Sequence, residues 1–231
     1  MEAVVGQGHS FRLSVRSGMG IITALQEQKR NHRRVSVYLD GRYAFGLQEM
    51  TAAGLKVGQP LSSEDIERLQ RRDEAEGAYE RALGFLSYRP RSRAEVLTCL
   101  ERHGVPEATA ESVLQRLSEA GLLDDQAFAR YWVENREAFR PRGMRSLRFE
   151  LRRKGVADVA IEEATQGLDE AASAYQAALE RARRLRNLDR ETFRRRMGGF
   201  LLRRGFNYDT VKETVERLWR ECQAATVEDP S

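Results

Sequence analysis

A Leu-x-x-x-Gly pattern recurs three times in this chain, in TCLERHGV (98–105), FELRRKGV (149–156) and FLLRRGF (200–206). Its glycines, Gly104, Gly155 and Gly205, are 51 and 50 residues apart. In every copy an arginine stands two residues before the glycine, and an apolar residue stands four before the leucine. The matched residues are Leu100, Leu151, Leu201, Arg102, Arg153, Arg203, Val96, Leu147 and Met197. Matched positions at a nearly constant period indicate an internal repeat of about 50 residues.

The pattern also predicts how each copy folds. The leucine ends the apolar stripe of a helix, and the glycine takes the left-handed conformation that terminates it. Upstream, Tyr88–Ser92 (YRPRS) lies 51 residues before Phe139–Gly143 (FRPRG), and the proline in each stops one helix and permits the next. The third copy has Asp189-Arg190-Glu191 instead, where Asp189 can cap a helix.

Each copy is therefore predicted to be a three-helix unit. The predicted helices are 75–88, 92–103 and 107–120; 125–139, 143–154 and 157–167; and 170–186, 190–204 and 208–222. Such a unit buries little apolar surface alone, so we expect the copies to stack into an elongated, curved array. The predicted fold class is mainly α, with tandem three-helix repeats and a small N-terminal β-hairpin/α unit.

The N-terminal unit shows a different periodicity. In VSVYLDGRYAFGL, β-branched and aromatic residues alternate with others around Asp40-Gly41, which predicts a two-residue hairpin between strands Arg34–Leu39 and Arg42–Leu47. A further strand is predicted at Ile21–Gln26 and a short helix near Gln48–Ala53. Another helix is predicted to begin at Ser62, with Asp65 as its capping-box partner.

These patterns divide the chain into six segments. We expect a flexible leader at 1–19, the hairpin unit at 20–73, repeats at 74–121, 122–168 and 169–223, and a flexible tail at 224–231. The sequence leaves open whether Met1 or Met19 is the true start.

The composition restricts the class of protein. With 41% hydrophobic and 32% charged residues, the chain is expected to be a soluble folded protein. An apolar run of the roughly 18 residues needed to cross a bilayer is absent from the sequence, as is a signal peptide, so we expect a cytoplasmic protein without membrane contact. The two cysteines, Cys99 and Cys222, are far apart and form neither a disulfide framework nor a zinc motif.

The sequence gives no indication of catalysis. His9, His32 and His103 are scattered, and phosphate-binding glycine loops and G-x-S-x-G motifs are lacking. The acidic pair Asp124-Asp125 precedes a helical pattern, so one of the two is interpreted as an N-cap and not as a metal ligand. We therefore expect no enzyme activity and no catalytic, cofactor or metal site.

Arginine is concentrated in two segments. Residues 140–154 contain seven basic residues against Glu150, and residues 181–196 contain eight arginines against two acids. On helix 143–154, Arg145, Arg148 and Arg152 follow one helical face beside the core positions and predict a basic ridge. Matching positions in the other repeats are not uniformly basic, so the middle repeat is favoured as the binding unit, with solvated helix faces as the alternative. The candidate partner- or DNA-binding residues are Arg89, Arg91, Arg140, Arg142, Arg145, Arg148, Arg152, Arg153, Lys154 and Arg195.

Aromatic residues in the second repeat have two interpretations. Phe128, Tyr131, Trp132 and Phe139 could stack nucleic-acid bases. Phe128, Trp132 and Phe139 share one helical face, which favours a place in the core. Trp219 is also predicted to be a core residue.

The combination of VYLDGRYAFGL, ALGFLSYRPRSRAEVLTCLERHG, GLLDDQAFARYWVENR and RPRGMRSLRFELRRKGV resembles the RecX family, bacterial modulators of the RecA recombinase. The resemblance extends from about Ile22 to Glu221. It implies a series of three-helix repeats without enzyme activity that binds the helical groove of RecA filaments on DNA and bridges neighbouring protomers. It also implies inhibition of ATP hydrolysis, strand exchange and coprotease activity, and thereby modulation of recombination, DNA repair and the SOS response. The N-terminal unit and leader depart from the shortest family members, so the role of residues 1–72 is least constrained.

The leading hypothesis is thus a RecA-filament regulator that acts as a monomer and carries its contacts on the basic residues of the middle repeat. Direct, non-specific contact with single- or double-stranded DNA is left open. A sequence-specific DNA-binding regulator and a scaffold without nucleic-acid contact are the two alternatives.

Overall fold

The computed structural model describes residues 19–29 and 31–227, with side chains described as far as residue 224. The predicted leader up to residue 18 and residues 228–231 of the predicted tail lie outside this range. The chain divides into two compact units. The first comprises the residues up to Arg81 together with Val105–Val113, and the second comprises Ala82–Gly104 and the residues from Leu114 onward.

The first unit contains an antiparallel sheet in the order β3-β2-β1-β4. Its strands are β1 (Gly20–Gln28), β2 (Asn31–Leu39), β3 (Arg42–Gln48) and β4 (Pro60–Leu61). Asp40 and Gly41 have φ values of 51° and 79°, as a type I′ turn requires, so the predicted hairpin is confirmed. The sequence analysis missed β4 because two residues are too few to show an alternating pattern.

One face of this sheet holds the core of the first unit. Ile22, Val37 and Leu47 are fully buried there, and Ile66 from the first turn of the following long helix joins them. The short helix α1 (Glu49–Ala52) follows β3. Arg34 donates to Asp73 at 3.1 Å, which anchors the long helix beside β2.

That long helix, α2 (Ser63–Leu86), corrects one prediction. Its start is as expected, because Ser62 and Asp65 exchange capping-box hydrogen bonds. The separate helix predicted at 75–88 is wrong, since α2 runs without a break through residue 74. Gly77 and Gly84 both lie inside α2, since a single helical glycine costs only about 1 kcal/mol and does not by itself end a helix.

The other predicted helices of the repeats are confirmed. They are α3 (Arg93–Arg102), α4 (Glu107–Glu119), α5 (Asp125–Phe139), α6 (Met144–Arg153), α7 (Asp158–Thr165), α8 (Glu170–Leu185), α9 (Arg190–Arg203) and α10 (Tyr208–Val227). α10 continues past the predicted end at 222, into the segment expected to be a flexible tail.

The repeated positions have the conformations that the pattern predicts. Gly104, Gly155 and Gly205 follow the C-caps of α3, α6 and α9 with φ values of 74°, 74° and 84°. The leucines four residues before them are completely buried, as are Val96, Leu147 and Met197. The matched sequence positions therefore mark the same structural positions in all three repeats.

The predicted N-cap is confirmed, whereas one of the aromatic residues predicted to lie in the core does not lie there. Asp124 caps α5 by accepting from the backbone of Gln126 and Ala127, which confirms the N-cap prediction. Phe128 is buried and Trp219 packs against Phe193 with ring centroids 5.2 Å apart. Placing Phe139 in the core was wrong, because it is 77% exposed. It is the last residue of α5, where the chain turns toward Pro141 and the helical face no longer lies over the core.

Candidate functional site

The middle helices of the first two repeats meet end to end. Ser92 is the N-cap of α3, and its Oγ donates to the carbonyl oxygen of Lys154, the C-cap of α6, at 2.6 Å. Its Oγ also accepts from the Glu95 backbone in a capping box. The start of α3 thus lies against the end of α6, and the Ser92 hydroxyl satisfies a carbonyl group that the helix end leaves unpaired.

The second and third repeats meet in the same way, but the bond between the two helix ends is made by backbone atoms. The N–H of Gly143, the N-cap of α6, donates to the carbonyl oxygen of Arg204, the C-cap of α9, at 3.0 Å. A Cβ at Gly143 would lie 2.2 Å from the carbonyl oxygen of Gly205. The second repeat therefore carries glycine where the first carries Ser92, because the two backbone segments of this junction leave no room for a Cβ.

A charged network strengthens the first junction. Glu95 accepts from Arg89 at 3.0 Å and from Lys154 at 2.7 Å. Burial acts to raise the pKa of Glu95, but the hydrogen bonds from Arg89 and Lys154 outweigh it and lower this pKa to about 2. Lys154 is only 18% exposed and lies 4.3 Å from the centre of the Trp132 ring. The structure thus places two predicted partner-binding residues, Arg89 and Lys154, inside an internal network.

Glu150 organises a second network within the middle repeat. It accepts from Trp132 Nε1 at 2.9 Å and from Arg136 at 2.8 Å, and Arg142 Nε lies 3.8 Å away. Arg91, at the position of Arg142 in the first repeat, stacks on Phe85 at 4.0 Å. Burial and the neighbouring Arg89 lower the pKa of Arg91. Arg91 and Arg142 are thus half-buried and partly engaged inside the fold.

The predicted basic ridge is interrupted. Arg145 and Arg152 are exposed, and Arg152 pairs with Asp158 at 2.7 Å. Arg148 is half-buried, and its Nε is buried without a hydrogen-bond acceptor among the described residues. Arg140, Arg153 and Arg195 are exposed, and none of them forms an ion pair within the described part of the chain. Among the predicted contact residues, those exposed and without an ion pair in the described part of the chain are therefore Arg140, Arg145, Arg153 and Arg195.

Phe149 is the residue that the sequence analysis missed. It is 61% exposed on α6, one turn from Arg145 on one side and from Arg152 and Arg153 on the other. Arg153 lies over its ring at 5.9 Å. The signal was present in the sequence: Phe149 stands two residues before the buried Leu151, at a position where the repeat has Thr98 and Gly199, so an aromatic residue there has no place in the core.

Phe149 forms one side of a cavity of about 510 Å³ at the second junction, which we call the α6–α9 groove. Its lining residues are Arg145, Ser146, Phe149, Arg152, Leu202, Arg203 and Gly205. Leu202 is another half-exposed apolar residue, and both Arg145 and Arg203 are exposed. An exposed aromatic and an exposed aliphatic side chain surrounded by arginine are typical of protein-interface anchors.

The first junction has an equivalent cavity of about 400 Å³ with different chemistry. Ala94 and Thr98 take the places of Arg145 and Phe149, and Glu95 contributes a negative charge. Phe85, Arg102 and Lys154 also line the first cavity, so the second junction differs in its exposed Phe149 and Leu202 and in a lining without an acidic residue.

Metal-binding clusters and membrane-spanning helices are both lacking in the residues that the structure describes. Groups of three or more histidine, cysteine or acidic residues that could hold a metal ion do not occur there. Over the same residues, helices of the length and apolarity needed to cross a membrane are also absent.

Comparison with known proteins gives consistent matches over the described units. Residues 20–62 match the family model of the regulatory protein RecX N-terminal domain. Residues 78–117, 124–164 and 169–215 match the models of the first, second and third three-helix domains of RecX.

Individual relatives extend over most of the chain. Regulatory protein RecX of Prosthecochloris aestuarii is 40% identical over 141 residues, which are 61% of this chain and 93% of the relative. Regulatory protein RecX of Bacillus subtilis is 31% identical over 205 residues, 87% of this chain and 78% of the relative. A crystal structure of regulatory protein RecX superposes with a TM-score of 0.68 at 28% identity, covering 86% of this chain and 99% of that one. Together with the tandem three-helix repeats, these matches show that the chain belongs to the RecX family of regulatory proteins.

Proposed function

We propose that this chain is a negative regulator of the RecA recombinase that binds in the groove of the RecA–DNA filament. Binding inhibits ATP hydrolysis, strand exchange and coprotease activity, and so modulates recombination, DNA repair and the SOS response. The protein acts in the cytoplasm, as a monomer and without chemistry of its own. Membership of the RecX family supports the regulatory role.

The observation that carries the proposal is the α6–α9 groove. Phe149 and Leu202 offer apolar area for a protein partner, while Arg145 and Arg203 offer guanidinium groups for its carboxylates or for phosphates of the bound DNA. The groove lies at a junction between repeats, and the end-to-end contacts of α6 and α9 hold its two sides together. A rigid site of this kind loses little conformational entropy when it binds.

Inhibition follows if the groove binds one state of the filament better than the other. A ligand shifts a conformational equilibrium only by its difference in affinity for the two states. We propose that the repeats lie along the filament and contact neighbouring RecA protomers at once, so that the exchange between filament states that accompanies ATP hydrolysis is restricted.

The test is charge reversal in the groove. The variant Arg145→Glu/Arg152→Glu changes two exposed side chains, and the ion pair that Arg152 loses is a surface pair that contributes little to stability. We expect it to suppress the DNA-dependent ATPase of RecA at least about tenfold less effectively, as the loss of about 1.4 kcal/mol of binding free energy implies. Arg130→Glu/Arg184→Glu, with two exposed arginines outside the groove, is the matched control. Undiminished inhibition by the folded Arg145→Glu/Arg152→Glu protein would exclude the groove as the filament contact.

A further inference from the structure

Four arginines from two repeats crowd together near the start of α6 and the end of α9. Arg204 donates to the carbonyl oxygen of Pro141 at 3.1 Å, which brings it to the turn that carries Arg140 and Arg142. Arg204 and Arg181 both lie over the Phe200 ring, at 4.6 and 4.8 Å from its centre. Pro141 and Phe200 thus assemble guanidinium groups from α8, α9 and the α5–α6 turn; we call Arg140, Arg142, Arg181 and Arg204 the arginine cluster.

The positive charge of the arginine cluster is poorly neutralised. Within the described residues its four members make one ion pair, between Arg142 and Glu150 at 3.8 Å. Glu150 is already shared with Arg136 and Trp132. One carboxylate therefore serves two arginines at once, and Arg140, Arg181 and Arg204 have no acidic partner in the described part of the chain.

Donors in the arginine cluster also lack acceptors. The Nε atoms of Arg142 and Arg181 are buried, and the described residues offer neither of them a hydrogen-bond acceptor. A buried donor without an acceptor costs about 1–3 kcal/mol. Burial lowers the pKa of Arg204, and the nearby charges of Arg142, Arg140 and Arg181 lower it further. These observations agree that the cluster holds more positive charge and more donors than the protein itself satisfies.

We propose that the arginine cluster is a binding site for phosphoryl oxyanions. Planar guanidinium forks suit phosphate oxygens, and a phosphoryl group can accept from several arginines at the same time. Phe139 lies beside Arg140 and is 77% exposed, so a base attached to the phosphoryl group could stack on it. The ligand is therefore a nucleotide phosphoryl group, supplied by a DNA strand or by a free polyphosphate.

The site deepens the proposed function, since a RecA filament is assembled on DNA, but its test requires no RecA. The full chain is titrated against a fluorescent oligothymidylate and, separately, against inorganic tripolyphosphate, at several salt concentrations. The variant is Arg140→Gln/Arg181→Gln, and the control is Arg130→Gln/Arg184→Gln, which removes two exposed arginines outside the cluster. Arg140→Gln alone is included because Arg140 is exposed and its loss leaves the fold intact.

We expect the double variant to bind the oligonucleotide at least about tenfold more weakly and to show a salt slope reduced by about 1.4, or 0.7 for each lost phosphate contact. If the oligonucleotide binds and tripolyphosphate does not, the phosphoryl group is supplied by a DNA strand. If tripolyphosphate binds and displaces the oligonucleotide, a phosphoryl group alone is sufficient for binding. Failure of the wild-type chain to bind either probe overturns the proposal. Equal affinities and slopes for the wild type, Arg140→Gln and the double variant overturn it as well. Because RecA is absent, these outcomes do not depend on the ATPase test of the α6–α9 groove.

Discussion

Ser92 Oγ donates a hydrogen bond of 2.6 Å to the carbonyl oxygen of Lys154, 62 residues further along the chain. Gly143 makes the corresponding bond to Arg204 with its backbone N–H, at 3.0 Å. The repeats are therefore joined by one recurring contact, in which the start of a middle helix meets the end of the next middle helix. This contact positions the α6–α9 groove and the arginine cluster, so its disruption should affect stability and binding together.

Replacing Ser92 by alanine removes only one oxygen atom, but it should strongly destabilise the protein. Ser92 is fully buried, and the change removes an N-cap as well as the hydrogen bond to Lys154. We expect the free energy of unfolding to fall by about 2–3 kcal/mol, from about 1 for the cap and 1–2 for the buried carbonyl left without its donor. Urea unfolding measures this difference. Ser118→Ala on the exposed face of α4 is the control, and equal stabilities of the two variants would contradict the role of the junction.

Two of the three repeat glycines offer a matched comparison. Gly104 and Gly155 have the same φ of 74°, but a Cβ at Gly104 meets nothing within 4 Å, whereas a Cβ at Gly155 would lie 2.4 Å from Ala94 Cβ. Gly104→Ala should lower the free energy of unfolding by about 1–2 kcal/mol through backbone strain alone. Gly155→Ala should lower it by a further 1–3 kcal/mol or so, because overpacking is added to the strain. Thermal and urea unfolding of the two variants test this, and equal losses would show that the junction adapts to the extra methyl group.

The stability of the first junction should depend on pH through Glu95. The pKa of Glu95 is lowered to about 2 in the folded protein from 4.5. A carboxylate whose folded pKa is depressed stabilises the fold above its unfolded pKa, and the contribution is lost as the pH falls toward the folded pKa. The shift corresponds to at most about 3–4 kcal/mol, present above about pH 5, reduced by more than half at about pH 3 and lost as the pH falls below about 2.

The measurement is the difference in unfolding free energy between the wild type and Glu95→Gln, followed from pH 6 to pH 3. This difference should shrink as the pH falls, since the unfolded chain then takes up a proton at Glu95 while the folded protein still holds the carboxylate charged. A difference that stays constant over this range would mean that Arg89 and Lys154 do not hold the carboxylate in its charged form. Glu213→Gln, at an exposed position of α10, controls for general effects of charge.

Removing the Phe149 ring should separate binding from stability. Phe149 is 61% exposed, so Phe149→Ala should change the free energy of unfolding by less than about 1 kcal/mol. As the apolar anchor of the α6–α9 groove, it should weaken inhibition of the RecA ATPase by about tenfold or more. Tyr88→Ala removes an even more exposed aromatic ring, 85% exposed and outside this groove, and should leave inhibition of the RecA ATPase unchanged. If both variants inhibit equally well, Phe149 is not an anchor.

The errors of the sequence analysis have identifiable causes. α2 was predicted as two helices, because the contact of Asp73 with Arg34 that fixes the helix to the sheet joins residues 39 apart in sequence and leaves no local pattern. Phe139 was assigned to the core because periodicity treats the last residue of a helix like any other. Phe149 was not predicted as a contact residue because it lies outside the apolar stripe, and periodicity alone does not distinguish a binding aromatic residue from a solvated one.

The sequence by itself determined the repeat, the ends of most helices and the family. Those features depend on local rules: apolar spacing sets the buried face of a helix, and a glycine at positive φ ends it. Only the tertiary structure decided what each arginine does. Arg89 and Lys154 form ion pairs with Glu95, and Arg142 forms one with Glu150. Arg145 is exposed to solvent. Basic residues that look alike in sequence acquire these different roles because their partners lie on other helices, and their positions are set by the packing of one repeat against the next.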